Sequence, residues 1–96
     1  MLNRRIRETR IAQGVSQVEL AKRLGISKQS LSNWENDNIQ PSVEMVNRLA
    51  DCLCVSTDYL LGRDNIKYIE VTGLTEVETA HIQQIVNDIR NNREKA

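Results

Sequence analysis

Residues 17–36 read QVELAKRLGISKQSLSNWEN, and the pattern in that stretch decides the fold. Leu20, Ala21 and Leu24 recur at helical spacing, which predicts one short helix. Ala21 is small where a crossing helix needs close approach. Gly25 follows the last apolar residue, where a helix ends in a left-handed turn that glycine enters at little cost. Ile26 can plug the space beneath that turn, and Ser27 is a natural N-cap for a second helix. On the second helix Leu31 and Trp34 share one face. Gln29, Ser32, Asn33 and Asn36 lie roughly opposite, at about 100° per residue. That outer face is polar, long-armed and free of carboxylates. It suits base edges and phosphates. The competing reading is the solvated face of any small amphipathic helix pair.

The whole chain has 96 residues, enough for one small domain and an appendage. Phe is absent, so Leu, Ile, Val and the single Trp34 must fill the core. The zero net charge hides an asymmetry: residues 1–35 hold seven Arg and Lys against three acids, a net +4 balanced by −4 in the remainder. A basic half bearing the motif suits an oriented polyanion contact, although an excess of this size also arises by chance. There is no membrane-spanning run and no signal-peptide pattern, so a cytoplasmic protein is expected. Cys52 and Cys54 stand two apart on a predicted helix and point to different faces. They have no second ligand pair, and His81 is the only histidine. Structural thiols in a reducing compartment are expected, with no metal site and no cofactor. No nucleophile–base set, paired-carboxylate site or phosphate-cradling glycine loop is present, so no catalytic residues are assigned and an enzyme is not expected.

Residues 3–13, NRRIRETRIAQ, form a first helix with Ile6 and Arg10 on one face, ended by Gly14. Ser16 caps the next helix, and Glu19 completes a capping box. The following helix runs from about Ser27 to Glu35, with Lys28 and Gln29 in its first turn. A glutamine can pair bidentately with adenine, and a lysine can bond guanine acceptors or a phosphate. Trp34 is read as core. Residues 36–38 form a polar loop, after which Ile39 is expected to insert into the core. Pro41 and Ser42 open a helix to Leu53, with Val43, Val46, Leu49, Ala50 and Leu53 as its buried stripe. Ser56 caps a short last helix on which Leu60 and Leu61 dock and which Gly62 closes.

From about Leu2 to Leu61 the sequence resembles the Xre/Cro-type helix-turn-helix family of phage repressors and bacterial regulators. Residues 16–42, SQVELAKRLGISKQSLSNWENDNIQPS, fit that family's pattern at nearly every structural position. The resemblance implies an all-α fold, a five-helix lambda-repressor-like DNA-binding domain over residues 1–64. It implies a sequence-specific transcriptional regulator, a repressor in the leading reading, with double-stranded DNA as its partner. Gln17 would meet the DNA backbone and buttress the recognition helix. Lys28, Gln29 and Asn33 would read bases, while Ser30, Ser32 and Asn36 would hold the backbone. Arg10 and Glu35 stand where some family members tie the first helix to the third by an ion pair. Arg5 and Lys22 are expected to touch phosphates without regard to sequence.

Residues 65–96 depart from that module. Ile66 to Val71, IKYIEV, alternates and is β-branched, which predicts a strand or an extended linker. Thr75 and Glu78 form a second capping box opening a helix to about Asn92. Val77, Ile82, Ile85, Val86 and Ile89 make an apolar stripe on it that is too wide to leave in water. Either this tail folds back on its own domain, or it pairs with a second copy to make a homodimer that reads a palindromic operator. An antitoxin or adaptor whose last helix binds another protein is the alternative function. No membrane association and no small-molecule effector are expected.

Overall fold

The structure is a computed structural model that describes residues 1–95; Ala96, the end of the expected second segment, lies outside the described residues. Six helices follow in order: α1 (Leu2–Ala12), α2 (Gln17–Leu24), α3 (Lys28–Glu35), α4 (Val43–Leu53), α5 (Thr57–Leu60) and α6 (Glu76–Lys95). Helices α2 to α5 start where a hydroxyl can take the place of a missing backbone partner, while α1 has no side-chain cap. Ser16, Ser27, Ser42 and Ser56 each accept the amide of the residue three positions on, at 3.0–3.2 Å. At Ser16 only half of the expected capping box forms. The Glu19 carboxylate turns instead to Arg23, one helical turn on, at 3.2 Å. Thr75 and Glu78 do form the reciprocal pair that opens α6, at 2.9 and 3.1 Å.

Gly25 ends α2 with φ +70°, and the amide of Ile26 reaches back to the Ala21 carbonyl at 3.0 Å. The same closure ends α4, where Val55 bonds Ala50 at 3.1 Å, but there Cys54 takes the left-handed position at φ +56°.

Ile6, Leu20, Leu24, Leu31, Leu49, Leu53 and Leu60 are fully buried, with Ala21, Ala50 and Trp34 filling between them. Burying one such aliphatic side chain stabilises by about 1.5–3 kcal/mol, a sizeable share of a domain's net stability of ~5–15 kcal/mol. Ala21 therefore lets α2 and α3 cross closely without leaving a hole, and α3 is held by its inner face alone.

Three apolar residues expected inside lie outside. Ile39 is exposed, because Asp37 adopts a left-handed backbone (φ +60°) and the amides of Asn38 and Ile39 both turn back to the Asn33 carbonyl. Val43 is 80% exposed, because α5 has only four residues and does not cover the first turn of α4. Leu61 faces solvent while its neighbour Leu60 is fully buried.

The segment 66–71 is extended but pairs with no other backbone among the described residues, so it is a linker and not a strand. It runs beside the ends of α1 and α4, near Ala12, Gln13, Cys54 and Val55. The apolar stripe of α6 divides in two. Ile82 and Val86 are half-buried and line a groove with Tyr68, Ile69 and Val71, whereas Val77, Ile85 and Ile89 stay exposed. At helical spacing these two groups sit on adjacent sides of one helix.

Candidate nucleic-acid interface

The outer side of α3 is a row of short and long polar groups on a rigid base. Leu31 and Trp34 fasten its inner side in the core, so the backbone under the polar row is fixed. Lys28, Gln29 and Asn36 are exposed, and Ser30, Ser32 and Asn33 are half-buried. Gln29 Nε2 donates to Asn33 Oδ1 at 3.1 Å, and Asn36 Nδ2 donates to Ser32 Oγ at 3.2 Å. The first of these bonds uses one of two amide hydrogens. Gln29 keeps one N–H and its carbonyl oxygen, the donor and acceptor that adenine's N7 and N6 edge requires. The bond also limits the rotamers that Gln29 would otherwise lose on contact with a ligand. Ser30 is half turned inward: its hydroxyl accepts from Ser27 Oγ at 3.0 Å. Asp37 accepts from Gln40 Nε2 at 3.1 Å within the loop that follows α3.

Glu35, at the end of α3, is buried and fully partnered. Arg10 donates Nε to Oε2 at 2.8 Å and Nη2 to Oε1 at 2.9 Å. Gln17 Nε2 donates to the same Oε1 at 3.0 Å. Arg10 also donates Nη1 to the Val15 carbonyl at 2.9 Å, which closes the turn before α2. The hydrogen bond to Glu35 raises the Arg10 pKa above its ordinary value, so the guanidinium stays charged across the physiological range. One carboxylate thus joins α1, α2 and α3, and its charge is neutralised before it can repel a phosphate. Gln17 keeps a second amide hydrogen at the N-terminus of α2, a position favourable to anions.

The three acids of the first 35 residues are all paired with cations of the same stretch, and one further cation, Arg5, is held by the protein itself. Besides Arg10, Arg23 pairs with Glu19 at 3.2 Å, and Arg4 approaches Glu8 at 4.0 Å. Arg5 points away from the expected role as a phosphate contact. It donates to the carbonyls of Tyr59 and Asp64 and to the Asn65 side chain. Sequence spacing could not reveal this, because the partners lie 54–60 residues away. Lys22 and Lys28 are exposed and carry no ion pair among the described residues. With Arg7, which is likewise exposed and carries no ion pair among the described residues, they are the cations of the first 35 residues left for a polyanion. Among the described residues no group of three His, Cys, Asp or Glu is placed to hold a metal, and no helix is long and apolar enough to cross a membrane.

The sequence model of the helix-turn-helix family matches residues 6–60. The chain is 38% identical over 73 residues to the HTH-type transcriptional regulator ImmR of Bacillus subtilis, covering 76% of this chain and 58% of that protein. The crystal structure of the P22 c2 repressor in complex with a synthetic operator superposes with a TM-score of 0.63 at 34% identity, covering 67% of this chain and 97% of that one. The biofilm regulator SinR, solved in complex with DNA, gives a TM-score of 0.60 at 34% identity over 64% of this chain and 98% of that one. The matched region is the part that carries the α3 row and the Arg10–Glu35–Gln17 junction.

Proposed function

The chain belongs to the helix-turn-helix family, and from that premise we propose that it is a sequence-specific DNA-binding transcriptional regulator acting as a homodimeric repressor in the cytoplasm. It is a binding protein and not an enzyme. Residues 1–64 form the reading head and residues 65–96 the dimerisation element. The α3 row enters the major groove. Lys28, Gln29 and Asn33 read bases; Ser30, Ser32, Asn36, Gln17 and Lys22 hold the phosphate backbone. Repression follows from occupancy: two α3 helices enter grooves about 34–36 Å apart on one side of the duplex and exclude polymerase.

The observation that carries this reading is the carboxylate-free polar row on a helix whose one buried acid, Glu35, is already neutralised. A solvated surface helix has no need of an internal guanidinium to cancel the charge at its end. The dimer is supported by the exposed half of the α6 stripe, Val77, Ile85 and Ile89, and by the further exposed apolar residues Ile66, Tyr68 and Ile69 of the segment before it. The groove half, Ile82 and Val86, is half-buried beside Tyr68, Ile69 and Val71 of the same chain. The same exposed stripe would seat a different protein in an antitoxin or adaptor, so association state decides between the two.

The test is sedimentation equilibrium on the full chain, on a chain ending at Asp64 and on Ile85→Glu, together with selection from random duplex DNA. A dimeric full chain, two monomeric variants and a selected two-fold-symmetric site are expected. A monomeric full chain at micromolar concentration would put the adaptor reading first. No selected sequence would remove the regulator reading.

A further inference from the structure

Arg5 is half-buried on α1 and uses its fork on two points of the chain at once. It donates Nη1 to the carbonyl of Tyr59, at the end of α5, at 2.5 Å, and to the carbonyl of Asp64 at 2.7 Å. Nη2 donates to Asn65 Oδ1 at 2.6 Å. The guanidinium carbon also lies 4.2 Å from the centre of the Tyr59 ring, and Lys67 Nζ lies 5.0 Å from that same centre. Among the described residues no carboxylate ion-pairs with Arg5. The strongest fixed donor set on α1, apart from Arg10, is therefore spent on the place where the tail leaves the domain. A planar fork can hold two backbone sites at a set angle, and an ammonium cannot.

We propose that Arg5 is a positioning residue for operator recognition: it fixes the direction in which residues 64–67 leave the domain, and so sets the half-site spacing that the dimer accepts. The inference rests on the dimer reading above. One base pair more between half-sites moves the second site by about 3.4 Å along the duplex and turns it by about 34–36°. A domain joined to α6 through a loose linker follows that displacement. A domain joined through a clamped one does not, and binding falls. Arg5 would then select among DNA sites while touching none of them.

The test uses the full chain, Arg5→Gln and Arg5→Lys. Sedimentation equilibrium and far-UV circular dichroism come first. The half-site selected from random duplex DNA is then placed in duplexes whose centre-to-centre spacing changes by single base pairs. The unmodified chain is expected to prefer one spacing over its neighbours by about tenfold. Both variants should lose most of that preference while keeping the affinity for a single half-site and the salt dependence. A spacing preference unchanged in Arg5→Lys, which retains the stem and the charge and is the variant least liable to misfold, overturns the proposal. So does a salt slope that falls by about 0.9 per protomer in Arg5→Gln alone, since that marks a phosphate contact. A full chain that sediments as a monomer overturns the dimer reading itself and the inference with it, and the missing dimer tells that failure from the others.

Discussion

Arg10 and Glu35 meet in a two-pronged ion pair across the junction of α1 and α3, with the carboxylate side chain 1% exposed. Removing one partner leaves the other charge buried. Arg10→Met should destabilise the protein by about 3–5 kcal/mol. Replacing both residues by methionine should restore much of that loss, because two apolar side chains of similar reach need no partner. Urea unfolding of the single and double variants measures the difference. A double variant as unstable as the single one would mean that the pair, and not the isolated charge, carries the stability.

Gln29 touches nothing in the core, so its loss should leave the fold alone. Gln29→Ala should keep stability within about 0.5 kcal/mol and relax base choice at one position of each half-site by about 1–3 kcal/mol. Binding to a duplex panel varied one position at a time reads this directly. An even loss across the panel would place Gln29 on the phosphates instead.

Lys22 is exposed and carries no ion pair among the described residues, and on the proposed reading it meets the phosphate backbone and not the bases. Lys22→Gln should weaken binding to all duplexes alike and lower the slope of log K against log salt by about 0.9 per protomer. A titration at several salt concentrations separates this from the effect of Gln29→Ala, which should not change the slope.

Cys54 closes α4 in the left-handed region at φ +56°, where α2 uses Gly25. A side chain with a Cβ loses about 1–2 kcal/mol there, and glycine's greater freedom in the unfolded chain takes back ~0.5–1 kcal/mol. Cys54→Gly should therefore raise stability by up to about 1.5 kcal/mol, seen as a higher midpoint in thermal unfolding. A fall would show that the Sγ contact to the Asp51 carbonyl, at 3.9 Å, matters more than the backbone.

What could be read in advance follows the range of the forces involved. Ser16, Ser27, Ser42 and Ser56 cap helices through bonds three residues long, and Gly25 acts on its own turn, so local sequence announces them. Leu20, Leu24, Leu31 and Trp34 repeat with the helix and are buried. Ile39, Val43 and Leu61 look the same in sequence, yet they sit at element ends where no neighbour arrives to cover them. Periodicity says which side of a helix is apolar and not how far along it the core extends. Glu19 had two partners within reach and went to the cation one turn on. The hold of Arg5 on Tyr59, Asp64 and Asn65 had no local signal at all, since its partners come from the far end of the domain.

The exposed members of the α3 row and the α3 core side share no residue. Lys28, Gln29 and Asn36 face outward, while Leu31, Trp34 and Glu35 fasten the helix. On the proposed reading, substitutions at Lys28, Gln29 and Asn36 would change what the helix meets without loosening the core beneath it. A descendant of this chain would then reach a new operator by single steps, each one folded, over an unchanged scaffold.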